Sequence, residues 1–389
     1  MARPTVAGFA RATFFALTPA LATAGAMGMP VLLSLVGALG ARRAMLRQLI
    51  ENRPLPLLLL LGFGTWAMLT ALWSPYPDPQ QAAKLFFLLP LGLAFAAAAS
   101  ADTNLTRPAA LAAFVVLAAL LTIEAAGNMP LNRSSQAGDP DWKIEQNLAR
   151  AAVVFIAMSW GVAGIALTSA GRWRFALGAG VLALGAVFSL QFHQSANVVA
   201  YGLGLGAFVL ALAAPRIAPW LVCGGWAFWM LAAPLLTPML TADPALVENA
   251  PYGWAVRVSM WDYVCARIAE APLFGHGLDA SRAVTDTMVV RGDAMPAVLL
   301  HPHSASLHIW FETGLVGAAL ASATLIAGAR WLARAFAEHR IAAAAACGAI
   351  ASLGFIANVS YGVWQEWWTV AMLLAAGLIG AIVVPRERH

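Results

Sequence analysis

The stretch "LARAAVVFIAMSWGVAGIALT", residues 148–168, decides the fold. Its single charge, Arg150, sits in the first turn, and no charged residue follows until the segment ends. As a helix rising 1.5 Å per residue, about 20 such residues cross the hydrocarbon core of a bilayer. Runs of the same kind recur at 9–25, 27–41, 55–73, 82–99, 108–126, 174–191, 196–213, 220–240, 305–329, 341–361 and 366–384. Hydrophobic residues make up 61% of the 389 positions and charged residues 11%, with a mean hydropathy of +0.75. An average soluble domain carries roughly 25% charge. Lipid offers backbone groups no partner, so a spanning chain is either helical or a closed barrel, and a barrel would show short alternating segments. The pattern predicts an all-α, polytopic membrane protein with about 12 transmembrane helices, one membrane domain over 1–389, its first two helices short and joined as a hairpin.

The net charge of +5 and the pI near 9.5 fit a membrane protein better than a nucleic-acid binder, because basic residues gather in cytoplasmic loops. No basic run is interleaved with aromatics, so no nucleic-acid partner is expected. With the N-terminus in the cytoplasm, Lys84, Arg133, Lys143, Arg150, Arg257, Arg267, Arg282 and Arg291 fall outside, and the other 15 of the 23 Lys and Arg fall inside. The short loops "RRAMLRQLIENR" (42–53) and "RWLARAFAEHR" (330–340) are the strongest anchors, helped by Arg3, Arg386 and Arg388. Both termini are therefore expected in the cytoplasm. The leader-like start "MARPTVAGFARATFFALTPALATAGA" reads as a retained first helix, since more apolar helices follow at once. Cys223, Cys265 and Cys347 are scattered and odd in number, which suggests neither a disulfide framework nor a zinc site.

Two outer segments are long: 127–147 and 241–304. The second has room for an extramembrane subdomain. Within it "GWAVRVSMWDYVCARIAEAP" reads as an amphipathic helix suited to the membrane surface, with Trp254, Val258, Trp261, Val264, Cys265 and Ile268 at helical spacing. The chain has no Walker A, GxSxG or HExxH motif. The outer side collects His193, His276, His301, His303 and His308, while His339 and His389 fall inside. The loop closes with "HPHSASLHIWFETGLVG" (301–317) at the start of a helix.

Arginine forks bind phosphate oxygens and stay charged, and a histidine accepts a proton near neutral pH. Arg plus His, without an evident carboxylate cage for a metal, suits group transfer away from a phosphate leaving group. A lipid-linked donor would hold its phosphate at this depth. A transporter would instead carry its charges at mid-membrane, and here they lie on loops.

Four segments then carry a resemblance. "LTALWSPYPDPQQAAKLFFLL" (69–89), "EQNLARAAVVFIAMSWGVAG" (145–164), "RVSMWDYVCARIAEAPLFGHGLDASR" (257–282) and "HPHSASLHIWFETGLVGA" (301–318) resemble, in order, motifs of the O-antigen ligase and polymerase family of bacterial inner-membrane glycosyltransferases. The resemblance implies a GT-C-like membrane-embedded enzyme. It would move a glycan from undecaprenyl diphosphate to an acceptor at the periplasmic face, with no cofactor and no metal. It places the catalytic base on His303, ahead of Ser304, with His301 as its rival, and a phosphate-binding arginine on Arg257. Where the family carries a second arginine, this chain reads "HQSANVV", with Ala196 or Asn197 in its place; Arg150, Arg282 or Arg291 is expected to substitute. Glu312, inside the outer end of a helix, is expected either to orient a histidine or to stabilise the helix start. The compact loop favours an O-antigen ligase, a monomer among membrane lipids with lipid A-core as acceptor, over a polymerase.

Overall fold

A computed structural model describes residues 5–41, 54–76, 78–192 and 195–383. His193 and His389, together with Arg3, Arg42, Arg43, Arg47, Arg53, Arg386 and Arg388, lie outside the described residues. Each of the 12 apolar runs appears as a helix. Among the described residues, nine helices are long and apolar enough to cross a membrane: α1 (Val6–Thr23), α3 (Leu55–Thr70, extended by a 3-10 turn to Trp73), α4 (Gln80–Ala101), α5 (Thr103–Ala126), α7 (Asp141–Thr168), α9 (Ser195–Ala213), α10 (Ala218–Thr241), α13 (Ala305–Ala335) and α14 (Arg340–Val359). Three more are apolar but shorter: α2 (Met29–Gly40), α8 (Arg174–Ser189) and α15 (Glu366–Gly380). The chain is a multi-pass, all-α membrane protein.

Helix α7 is the centre. Its residues from Leu148 to Ala166 are buried, apart from the half-buried Arg150, so it is apolar all round as a core helix must be. It packs against α1, α5, α8, α14 and α15. Close approach uses small residues: the Trp160 ring of α7 lies where a Cβ on Gly204 of α9 or Gly348 of α14 would fall, at 2.4 and 2.6 Å. Helices α9 and α14 pair along their length, as do α10 and α13, and α3 and α13.

The segment after α10 holds short helix α11 (Pro244–Asn249), helix α12 (Tyr252–Glu270), a 3-10 turn (Ala280–Ala283) and a hairpin of β1 (Thr287–Val290) and β2 (Asp293–Pro296). A further short helix, α6 (Pro130–Ser135), lies in the other long connection. Among the described residues, the hairpin is the β structure that the all-helical expectation omits. It pairs Val290 with Asp293 across a turn of Arg291 and Gly292, both with positive φ (51° and 90°), the pattern of a two-residue hairpin turn. Helix α12 runs where its periodicity predicts. It does not lie free on a surface: Ala255, Met260, Val264 and Ile268 enter a small core with Ala280, Val290, Val298, Leu307 and Phe311.

Candidate active site

The site is built on a broken helix. Helix α13 is interrupted at Gly314 (φ 65°, ψ −164°). The break frees four backbone groups, and the segment 272–277 takes all of them. Leu315 and Val316 donate to the carbonyls of Pro272 and Leu273 at 2.8 and 3.3 Å, while Phe311 and Glu312 carbonyls accept from the amides of His276 and Gly277 at 2.8 and 2.9 Å. A Cβ on Gly314 would lie 2.4 Å from the Leu273 backbone, and one on Gly275 2.5 Å from that of Glu312, so both positions require glycine. The Trp-Ser segment locks this plug from outside. Trp66 donates to the Thr313 carbonyl at 2.9 Å, Trp73 to that of Gly275 at 3.2 Å and Ser74 to that of Leu278 at 2.6 Å. Trp73 and Trp310 thus act as backbone clamps; Trp310 donates to the Met230 carbonyl at 2.6 Å.

Glu312, fully buried, is the polar centre of this joint. Its carboxylate accepts from the amides of Asp279 (2.8 Å) and Ser281 (3.1 Å), the Ser281 hydroxyl (2.6 Å), the Trp364 indole (2.6 Å) and His308 Nε2 (3.0 Å). The histidine it orients is therefore His308, one turn away, and not His301 or His303. His308 is bound on both nitrogens, since its Nδ1 accepts from the Val363 amide at 3.3 Å. Burial, and after it the Glu312 charge, pushes the Asp279 carboxyl above its ordinary range, with Arg282 opposing. Arg282 pairs with Asp279 at 3.2 Å and lies over the Tyr76 ring. The void among Asp279, Arg282, His301, His308 and Gln365 measures ≈ 30 Å³, room for little more than a water.

His301 and His303 stand with ring centroids 4.3 Å apart. His301 is occupied on both sides: its Nδ1 accepts from the His303 amide at 3.3 Å, and its Nε2 meets the Gln365 amide at 3.2 Å. Burial, then the neighbouring His303, His308, Arg282 and Arg257, holds its pKa well below the ordinary value. His303 differs. Its backbone is left-handed (φ 54°), a conformation that costs a non-glycine residue about 1–3 kcal/mol and clusters at functional sites. Its Nδ1 lies 2.6 Å from the Ser360 carbonyl, so Nδ1 carries the proton. Nε2 is left with a lone pair and no hydrogen-bond partner among the described residues. Burial and then the Arg257 charge bring this ring down to about 4. Ser304 caps the helix that follows, accepting from the Leu307 amide at 3.5 Å.

Arg257 reaches this side from α12, whose Trp261, one turn on, donates to the Pro302 carbonyl at 2.8 Å. Among the described residues it forms no salt bridge. Asp262 instead accepts from Thr241, and Glu270 pairs with Arg267 at 2.8 Å. Arg257 stacks on Trp254 at 5.2 Å, and Arg150 on Trp367 at 5.8 Å. Both keep a buried Nε with no acceptor. Among the described residues, Lys84, Arg133, Lys143, Arg267 and Arg282 each have an acidic partner, whereas Arg150 and Arg257 have none. Tyr361 lies close enough to both guanidiniums for their charges to oppose the burial that raises its hydroxyl to about 12. Arg291 stands apart. It donates to the carbonyls of Val247 and Ala250 and fastens the hairpin to α11.

No local motif marks the turn between α14 and α15, which positions His301, His303 and His308. Asn358 accepts from the Ser306 amide at 3.1 Å, Ser360 holds His303, Val363 holds His308, Gln365 meets His301, and Trp364 donates to Glu312. Glu366 closes the turn in an ion pair with Lys84 at 2.7 Å. Two apolar cavities flank the start of α13. One of ≈ 560 Å³ includes Trp226, Met230, Ser306, Ile309 and Val363; one of ≈ 290 Å³ includes Trp229, Trp261, Ser304 and Val359. Among the described residues, no three His, Cys, Asp or Glu side chains converge as a metal site.

No protein-family profile matches the chain. A Rickettsia conorii protein named "Putative polysaccharide ligase" is 25% identical over 336 residues, covering 83% of this chain and 79% of that one. A Rickettsia felis protein of the same name is 25% identical over 336 residues with the same coverage. One from Rickettsia bellii is 27% identical over 198 residues, covering 49% of this chain and 48% of its own. Two of these three proteins, each named "Putative polysaccharide ligase", match 83% of the chain.

Proposed function

We propose that this chain is an O-antigen ligase that transfers a glycan from undecaprenyl diphosphate to lipid A-core at the periplasmic face of the bacterial inner membrane. The carrying observation is that two half-buried guanidiniums, Arg150 and Arg257, have no acidic partner among the described residues, and that Arg257 lies close enough to His303 for its charge to lower that ring. A guanidinium drawn part-way out of water, with its Nε buried and unpartnered, gains most from an anion that completes it. A diphosphate does so, and arginine forks fit its oxygens. Arg150 takes the place of the arginine missing near Ala196. Arg282 is engaged by Asp279, and Arg291 caps backbone carbonyls.

His303 Nε2 accepts the proton of the acceptor hydroxyl, while the Ser360 carbonyl fixes the tautomer that leaves it free. The arginines stabilise charge on the departing diphosphate. The apolar cavities beside Ser304 and Ser306 suit lipid chains on both substrates. The similarity to polysaccharide ligases supports the reaction class. The test is removal of the chain from its cell, followed by analysis of lipopolysaccharide and lipid-linked glycan. A ligase defect leaves long glycan on undecaprenyl diphosphate and none on lipid A-core. A single repeat unit on lipid A-core would identify a polymerase instead.

A further inference from the structure

Tyr361 occupies a position that the reaction as outlined leaves unused. It follows Ser360, which anchors His303, and precedes Gly362, which is packed so closely against His301 that a Cβ there would lie 2.8 Å from the imidazole. Its ring stands edge-on to Trp367 at 4.7 Å and beside Trp368 at 5.9 Å. Trp367 is also the ring on which Arg150 stacks. The tyrosine thus shares the Trp367 ring with Arg150 and lies close enough to Arg257 to feel its charge as well. Its side chain is half-buried, and its hydroxyl has no hydrogen-bond partner among the described residues. A phenylalanine would satisfy the packing; the hydroxyl has no structural task.

We propose that Tyr361 is a third ligand of the donor diphosphate, its hydroxyl donating to a phosphate oxygen held between Arg150 and Arg257. This rests on the reading above. In the transfer step the acceptor hydroxyl oxygen bonds to the anomeric carbon, and the bond from that carbon to the diphosphate oxygen breaks. Its electron pair stays on the diphosphate, and the acceptor proton goes to His303 Nε2. Tyr361 keeps its proton throughout, in line with a hydroxyl raised to about 12. It adds a neutral donor to two charged ones, and its hydrogen bond strengthens as charge builds on the leaving group.

The test uses the full chain in lipid nanodiscs with undecaprenyl-diphosphate-linked glycan as donor and undecaprenyl diphosphate as competitive inhibitor. Tyr361→Phe keeps the ring. It should lower kcat/KM roughly 10- to 100-fold and raise the inhibition constant of undecaprenyl diphosphate by a similar factor, with an unchanged melting temperature. If the variant melts early, the inhibition constant measured below its midpoint decides. Wild-type inhibition of the variant overturns the assignment, even if its turnover is slowed. If the wild-type chain itself is indifferent to undecaprenyl diphosphate, the ligase reading falls, and the tyrosine's role falls with it.

Discussion

The Nδ1 of His303 lies 2.6 Å from the carbonyl oxygen of Ser360, 57 positions further along the chain. This contact sets the proton on the buried nitrogen and leaves the other as an acceptor, the tautomer that a general base needs. His303→Ala should therefore lower transfer by about 10² to 10⁴ while the protein still folds and inserts. His301→Ala should slow transfer less and lower the melting temperature more, because both nitrogens of His301 serve as packing contacts. Rates and thermal melts of the two variants check this. Full transfer by His303→Ala would remove it from the mechanism.

The acid-free arginines lead to a graded series. Arg257→Ala and Arg150→Ala should each raise the KM for the donor and reduce kcat. Arg257→Lys should restore only part of the loss, because an ammonium lacks the planar fork. Arg291→Ala should loosen the hairpin with little direct effect on donor affinity. EDTA should leave transfer unchanged. Activity lost to EDTA and regained with a divalent ion would transfer the phosphate-binding role to a metal.

Acid should act on His303 in two ways. Its ring is held at about 4, below the ordinary 6.5. Between these values the unfolded chain binds the proton and the folded chain does not. The stability contribution is therefore full above about pH 6.5 and is lost as pH falls toward about 4. The base form dominates at neutral pH, so kcat/KM should stay level down to about pH 5 and fall near 4. A bound diphosphate offsets the Arg257 charge, so the pKa seen in kcat should lie above the one seen in kcat/KM. A kcat/KM profile already falling at pH 6.5 would argue against this assignment.

Glu312 ties the loop, the broken helix and the α14–α15 turn together. Glu312→Gln keeps the shape but replaces an oxygen acceptor with a donor among five donors. It should cost about 3 kcal/mol of stability, read as a lower melting temperature. The rate per folded molecule should change far less than in His303→Ala.

Orientation is open to reporter fusions. Fusions after residues 140 and 290 should report the periplasm, and those after 172 and 335 the cytoplasm, following the distribution of basic residues. A cytoplasmic signal at 290 would put His303 on the wrong face for the proposed donor.

Element positions were legible because membrane helices announce themselves locally: a run such as 148–168 needs no partner to be recognised. The hairpin at 287–296 was not, since its turn is Arg291-Gly292 and lacks the Asn-Gly signal that marks such turns. His303 and Arg257 stood out through residue type and resemblance. Their companions did not. Nothing local connects Ser360, Tyr361 or Trp364 to residues more than 50 positions earlier, and their roles arise only when the α14–α15 turn meets the start of α13. Glu312 was visible as a buried acid in a helix, but its acceptor role depends on the amides of Asp279 and Ser281, which only the folded loop delivers.

The broken helix at Gly314 also sets how the molecule breathes. The amides of Leu315 and Val316 belong to α13 by position, yet their acceptors, Pro272 and Leu273, lie in the loop. In amide exchange these two should follow the detachment of segment 272–277, while amides further along α13 wait for the helix itself to unwind. Detachment would strand two donors and two carbonyls beside apolar side chains, at roughly 1–3 kcal/mol each. The loop therefore cannot swing as a free lid over the site; it opens together with the end of the helix, as one cooperative unit.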